Sequence, residues 1–131
     1  MECEHAMLNK TILIIDDEDV ILRVLTRKLH NKIKNILTAS DGESGYNIYL
    51  QTKLDLIITD LYLPKMTGLD LINTIRITHK DNTTPIIVMS AYKSEYIKIN
   101  PKDIYMYIQK PFLGAEVSDS IINLLESMNG R

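Results

Sequence analysis

Short apolar runs, each followed by a polar site, recur along this chain. They cover residues 12–15, 56–59, 86–89 and 105–108, and the polar residues just beyond them are Asp16-Asp17, Asp60, Ser90 and Lys110. Runs of this length are typical of strands that are buried on both faces of a sheet. We therefore predict strands at residues 11–15 and 35–39, a third that ends at residue 60, a fourth that begins at residue 85, and a fifth at residues 104–109.

Between these runs, apolar residues recur at helical spacing. The pattern predicts helices at residues 19–30 and 43–52, a third between Gly68 and Thr78, and a last one at residues 113–128. Pro64 and Gly68 indicate a tight loop after the third strand. The regular alternation of strand and helix predicts an α/β fold, a doubly wound five-stranded parallel sheet with helices on both faces.

Composition and charge narrow the class of protein. The 131 residues fit one domain with a hydrophobic core, and a net charge of -2 gives no basic excess of the kind that nucleic-acid binding requires. The apolar runs are too short for membrane insertion. The single cysteine, Cys3, excludes an intramolecular disulfide and fits a reducing, cytoplasmic location. We expect residues 1–9 to form a tail and residues 10–131 a single domain with no output domain.

The polar residues at the strand ends predict a shared site. In a parallel sheet the carboxyl ends of the strands lie on one edge, so Asp16, Asp17 and Asp60 should meet Ser90 and Lys110 there. Three close carboxylates repel one another unless a cation binds, and Mg²⁺, or alternatively Mn²⁺, prefers oxygen ligands. Carboxylates also form aspartyl-phosphates, which makes Asp60 a candidate nucleophile. Taken alone, Asp16 and Asp17 would equally fit capping of the helix that follows.

At these residues the chain resembles the receiver domain of bacterial two-component response regulators, of the stand-alone, chemotaxis-Y-like type. The resemblance spans roughly residues 10–128. It rests on Ile14-Ile15-Asp16-Asp17-Glu18, Asp60-Leu61-Tyr62-Leu63-Pro64-Lys65-Met66-Thr67-Gly68, Ser90-Ala91 and Tyr107-Ile108-Gln109-Lys110-Pro111-Phe112. It implies the flavodoxin-like fold with strand order 2-1-3-4-5.

The resemblance also implies a role for each site residue. Asp60 would accept a phosphoryl group from a histidine kinase or histidine phosphotransfer protein. The implied metal ligands are Asp17, Asp60 and the backbone carbonyl of Tyr62, with Asp16 acting through water. Ser90 and Lys110 would bind the phosphoryl group, and Ser90 with Tyr107 would form a switch that controls an unidentified downstream protein. Such a domain is not an enzyme in the usual sense, although it assists its own phosphorylation and dephosphorylation.

Two other classes of protein compete with this interpretation. A phosphatase or phosphotransferase with an aspartyl-phosphate intermediate usually carries Asp-x-Asp after its first strand, whereas Asp60 follows the third strand and precedes Leu61-Tyr62. A flavodoxin-like nucleotide or flavin binder needs a phosphate-binding loop after the first strand. The acidic residues 16–19 would instead repel phosphate unless a cation intervenes. A receiver-like module that is never phosphorylated is disfavoured because all five site residues are present.

The chain departs from the receiver pattern between its last two strands. Pro101 would disrupt a helix interior, so we expect the helix there, within residues 92–103, to be short, frayed or displaced. Tyr62 and Tyr92 occupy variable positions beside Asp60. Their bulk should restrict attacking water, which predicts a long-lived phosphoryl group.

Overall fold

A five-stranded parallel sheet forms the centre of the molecule. The computed structural model describes residues 7–91, 98–112 and 114–129. The strands are β1 (Leu8–Ile15), β2 (Ile33–Ala39), β3 (Leu56–Asp60), β4 (Ile86–Ser90) and β5 (Met106–Gln109). The helices are α1 (Asp19–Leu29), α2 (Gly42–Gln51), α3 (Gly68–Asn73) and α4 (Gly114–Asn129). A π-helical segment (Thr74–Thr78) continues α3, and a 3-10 helix (Pro101–Asp103) precedes β5.

The strands are ordered β2-β1-β3-β4-β5, and every pair is parallel. This confirms the predicted doubly wound fold and its strand order. The register aligns Ile14 with Ile58 and Ile58 with Ile87. Because the central strands are covered on both faces, consecutive positions are apolar. One face packs on α1 and α4, and the other packs on residues of α3 and the π-helical segment.

The first strand begins earlier than predicted. β1 starts at Leu8, whose N–H donates to the carbonyl of Lys32 at 2.8 Å. Leu8 and Asn9, which we assigned to the tail, therefore belong to the sheet. Pairing with the start of β2 orders these residues, although the polar Lys10 interrupts the apolar pattern that defines the strand in the sequence.

The segment between β4 and β5 is only partly described. Residues 92–97, which make up half of the segment predicted to hold the irregular helix and include Tyr92, lie outside the described residues. Residues 98–100 form a turn, and Pro101 then occupies the first turn of the 3-10 helix. No α-helix therefore extends through Lys102, as Pro101 predicts. Across the part of the chain that the structure describes, no helix is long and apolar enough to cross a membrane.

Candidate functional site

Four elements of the sheet deliver polar residues to its carboxyl edge. Asp16 follows β1 directly, Asp60 ends β3, Ser90 ends β4 and Lys110 follows β5. Asp16 and Ser90 are fully buried, and Asp60 is almost fully buried. The parallel strands thus place these residues at one edge, where open α/β sheets bind their ligands.

Three carboxylates form the acidic part of the site. Asp16, Asp17 and Asp60 each offer an oxygen, and these oxygens lie within 4.8 Å of one another. The N–H of Glu18 donates to Oδ1 of Asp16 at 2.9 Å, and the N–H of Tyr62 donates to Oδ1 of Asp60 at 3.1 Å. These backbone hydrogen bonds orient both buried carboxylates, whereas Asp17 is exposed.

The ammonium of Lys110 lies among the carboxylates. Its Nζ atom is 2.7 Å from Oδ2 of Asp16, 2.7 Å from Oδ2 of Asp60 and 2.9 Å from Oε1 of Glu18. Burial alone would lower the pKa of this lysine, but the contacts with the three carboxylates outweigh burial and raise it. Lys110 therefore stays charged throughout the neutral range and balances part of the negative charge.

One oxygen of Asp16 is left without a well-formed hydrogen bond. Oδ2 is buried and, among the described residues, it accepts no hydrogen bond; its contact with Lys110 is an ion pair. Burial raises the pKa of Asp16, and the Lys110 contact and the Glu18 N–H oppose that rise. A buried carboxylate oxygen with spare capacity, beside two further carboxylates, fits a hard divalent cation.

Ser90 and Tyr107 meet at the other side of the site. The hydroxyl of Tyr107 donates to the carbonyl oxygen of Ser90 at 3.1 Å, and the N–H of Lys110 donates to the same oxygen at 2.9 Å. The backbone of Ser90 thus connects the end of β4 with both the tyrosine and the lysine of the β5 region. The Lys110–Pro111 peptide bond is cis.

Two glycines keep the loop after β3 close to the acidic cluster. The N–H of Gly68 donates to the carbonyl of Leu61 at 2.9 Å, and a Cβ atom at Gly68 would clash with the Asp60 carbonyl. A Cβ atom at Gly42 would clash with the carbonyl of Met66 in the same way. Thr67 then caps α3 by accepting the N–H of Asp70 at 3.1 Å.

Sequence reasoning missed one contact within the site, that of Glu18. Its side chain reaches Lys110, whereas the sequence analysis placed Glu18 only among the acidic residues that follow the first strand. Glu18 occupies the N-cap of α1 and makes no side-chain cap there. Glutamate is not among the preferred N-cap residues, and this was the available signal that its side chain is used elsewhere.

Comparison with curated proteins identifies relatives of this chain. It is 32% identical over 120 residues to the alkaline phosphatase synthesis transcriptional regulatory protein PhoP of Bacillus subtilis, a match that covers 90% of this chain and 49% of that protein. It is 38% identical over 103 residues to the response regulator ArlR of Staphylococcus aureus, covering 77% of this chain and 46% of that protein. The chain thus spans about half the length of the curated relatives it matches.

Solved structures and a family model agree with these relatives. The receiver domain of the Francisella response regulator 1452 superimposes with a TM-score of 0.79 at 26% identity, covering 92% of this chain and 99% of that one. The model of the response regulator receiver domain matches residues 12–122. The chain therefore belongs to the response regulator receiver domain family, which provides the phosphoacceptor domains of two-component signalling.

Proposed function

We propose that Asp60 is the phosphoacceptor of this domain and that a histidine kinase or histidine phosphotransfer protein is the donor. Receiver domains are signalling modules rather than conventional enzymes, and family membership disfavours the phosphatase and flavodoxin-like alternatives. The observation that carries the assignment is the position of Asp60: it is buried at the end of β3, shares a cluster with Asp16 and Asp17, and lies 2.7 Å from the Lys110 ammonium.

The proposed reaction transfers one phosphoryl group. A carboxylate oxygen of Asp60 attacks the phosphorus of a phosphohistidine, an O–P bond forms, and the P–N bond breaks as the imidazole leaves. Because the transition state spreads negative charge over the phosphoryl oxygens, the positive groups around it determine the rate. Lys110 supplies one such charge, and the Ser90 hydroxyl supplies a hydrogen-bond donor.

The residues at this edge fit Mg²⁺, with Mn²⁺ as an alternative. We propose that Asp17, Asp60 and the backbone carbonyl of Tyr62 hold the ion and that Asp16 acts through water. The support is the spacing of the three carboxylates and the buried Oδ2 of Asp16. When bound, the cation neutralises the carboxylates and the phosphoryl oxygens, which would otherwise repel each other. The same environment would assist hydrolysis of the aspartyl-phosphate by water.

The proposed output is a change in partner binding. Phosphorylation would draw the Ser90 hydroxyl toward the phosphoryl group and release Tyr107, whose hydroxyl is bonded to the Ser90 carbonyl. A downstream protein would sense this change at the surface near β5. A cytoplasmic location and the absence of direct nucleic-acid contact by this domain are parts of the same proposal.

Incubation with acetyl phosphate and Mg²⁺, followed by intact mass measurement, tests the assignment. We expect one phosphoryl adduct on the wild-type protein and none on Asp60→Asn. Asp119→Asn, which changes an exposed aspartate on α4, is the matched control and should retain the adduct. An adduct that persists in Asp60→Asn would contradict the assignment. So would the failure of both acetyl phosphate and a cognate kinase to form an adduct on the wild-type protein.

A further inference from the structure

The backbone of Glu18 is fixed at both of its polar groups. Its N–H donates to Oδ1 of Asp16 at 2.9 Å, and its carbonyl accepts the N–H of Ile21 at 3.0 Å at the first turn of α1. The acidic cluster and the helix therefore hold Glu18 in place between them. From that position its side chain extends to Lys110 instead of capping the helix.

The three anionic partners of Lys110 differ in exposure. The side chains of Asp16 and Asp60 are 0% and 8% exposed, whereas that of Glu18 is 62% exposed. An ammonium group has three N–H donors, and the ammonium of Lys110 lies within 2.9 Å of each of the three carboxylates. Separating Lys110 from a buried carboxylate would leave an uncompensated buried charge, which is costly. Separating it from Glu18 costs little, because water solvates the released carboxylate.

We infer that Glu18 is a positioning residue that holds Lys110 in the unphosphorylated site and competes with the incoming phosphoryl group for its ammonium. This inference rests on the proposed phosphorylation of Asp60. The phosphoryl group brings strong acceptor oxygens to the place that Lys110 must reach. Glu18 is the partner that yields, since it is the exposed one and lies outside the cluster of Asp16, Asp17 and Asp60. Glu18 therefore slows phosphorylation by retaining the lysine.

Asp19 provides a matched control for this role. It is the next residue, it is also exposed, and it lies in the same first turn of α1. Its carboxylate pairs with Nε of Arg23 at 3.1 Å rather than with Lys110. Asp19→Asn removes the same unit of charge from the same end of the helix as Glu18→Gln. An effect that acts through repulsion of an anionic phosphodonor, or through the dipole of α1, should therefore be the same in both variants.

The test compares rates of phosphorylation by acetyl phosphate at saturating Mg²⁺. We expect Glu18→Gln to react about two- to fivefold faster than wild type, the size of an exposed ion pair coupled to its partner, and Asp19→Asn to react at nearly the wild-type rate. In a Lys110→Met background, or in Lys110→Ala if the first does not fold, Glu18→Gln should have no effect. The NMR signal of the Lys110 ammonium should shift in Glu18→Gln but not in Asp19→Asn.

Three results would overturn the inference. They are an unchanged or slower rate in Glu18→Gln, an equal acceleration in Asp19→Asn, and an acceleration that persists without Lys110. The last two would assign the effect to overall charge rather than to the lysine. Failure of the proposed function is distinguishable from these, because wild-type protein would then form no adduct that depends on Asp60.

Discussion

At the scale of single residues, negative charge dominates the site. Asp16, Asp17, Glu18 and Asp60 carry four negative charges around the single ammonium of Lys110. Such an arrangement is costly to the fold unless cations bind. A divalent cation at the proposed site would offset this cost, because the carboxylates would then serve as its ligands.

The aromatic ring of Tyr62 should control how long the phosphoryl group survives. The N–H of Tyr62 donates a hydrogen bond to Oδ1 of Asp60, and Tyr62 as a whole is 45% exposed. We predict that Tyr62→Asn shortens the lifetime severalfold, because water then reaches the aspartyl-phosphate more easily. The measurement is the loss of phosphoryl adduct, by intact mass, after removal of acetyl phosphate.

Tyr105→Asn is the control for this prediction, since Tyr105 is a similarly exposed tyrosine just before β5, at the amino edge of the sheet. An unchanged or longer lifetime in Tyr62→Asn would show that the ring does not shield the phosphoryl group. The second tyrosine that we expected beside the site, Tyr92, lies outside the described residues.

The sequence predicted the convergence of site residues because one geometric rule governs it. Residues at the carboxyl ends of parallel strands share an edge, so the sequence alone predicts that Asp16, Asp60 and Lys110 lie together. The contact between Glu18 and Lys110 could not be predicted, because it depends on the direction of one side chain at the start of α1. That direction follows from the hydrogen bond of the Glu18 N–H to Asp16 and from the position of Lys110. The local pattern of polar and apolar residues encodes neither.

At the scale of secondary-structure elements, the loop from β3 to α3 depends on close packing at Gly68. We predict that Gly68→Ala lowers the free energy of unfolding by about 1–3 kcal/mol, because the new Cβ atom clashes with backbone atoms of Asp60 and Leu61. Urea denaturation measures the change. Gly114→Ala is the control, since its Cβ atom would make ordinary contacts with Val24 and Lys28 at 3.4 Å. Equal stability of the two variants would contradict this packing argument.

Arg76 connects three elements at the amino edge of the sheet. From the π-helical segment, its guanidinium donates to the carbonyls of Asp81, Thr84 and Asp103, each at 2.8 Å. A second bond runs from Nε to Asp103 at 3.1 Å. The guanidinium thus joins the π-helical segment, the loop before β4 and the 3-10 helix before β5.

Loss of this guanidinium should destabilise the fold. We predict that Arg76→Met lowers the free energy of unfolding by about 2–4 kcal/mol, because several charge-assisted hydrogen bonds to partly buried carbonyls are lost together. Arg76→Lys should restore little, since one ammonium cannot span three carbonyls. Arg27→Met, an exposed arginine on α1, serves as the control in the same denaturation experiment. Full rescue by lysine would show that charge alone suffices.

The pattern of the sequence predicted the elements better than it predicted their ends. Apolar runs defined the strands because the central strands are buried on both faces. The spacing of Leu69, Ile72 and Ile75 predicted one continuous helix to Thr78, but the α-helix ends at Asn73 and a π-helical segment follows. The wider hydrogen-bond pattern of the π-helical segment leaves these apolar residues on the core side. The spacing of apolar residues therefore does not distinguish this segment from a continued α-helix. Pro101, by contrast, correctly indicated that no α-helix runs through it.

At the scale of the whole molecule, the two edges of the sheet carry different chemistry. The carboxyl edge holds the acidic site, and the amino edge holds a polar aromatic cluster. In that cluster the hydroxyl of Tyr49 donates to Asp81 at 2.8 Å, and the hydroxyl of Tyr46 lies 2.7 Å from Nε2 of His79. Changes at the amino edge should therefore alter stability without removing the proposed phosphorylation of Asp60.

The Tyr49–Asp81 hydrogen bond should make stability depend on pH at both extremes. Burial, with the bond to Asp81, raises the pKa of Tyr49 to about 12. Burial opposes a fall in the pKa of Asp81, but hydrogen bonds from Thr84, Tyr49 and Thr83 outweigh it and lower that pKa well below its ordinary value. The tyrosine contribution is thus complete below pH 10 and lost as pH rises toward 12, whereas the Asp81 contribution is lost as pH falls below 3.8.

Tyr49→Phe tests this dependence through the melting temperature at several pH values. The variant should be less stable than wild type at neutral pH, and the difference should shrink as pH rises from 10 to 12. Tyr105→Phe, at an exposed tyrosine, should show no such convergence. A constant difference between wild type and Tyr49→Phe across that range would contradict the assigned pKa.

Divalent cations should stabilise the whole fold through the acidic site. An ion that binds only the folded state adds about 1.4 kcal/mol to the free energy of unfolding when its concentration is about ten times its Kd. We expect Mg²⁺ to raise the melting temperature of the wild-type protein, compared with NaCl at equal ionic strength, because it relieves the repulsion among Asp16, Asp17 and Asp60. Asp17→Asn should abolish most of this increase. Asp19→Asn, which changes an aspartate two residues further along the chain that pairs with Arg23, should retain it. An equal increase in both variants would show that Mg²⁺ stabilises the protein through general screening and not through a site at this edge.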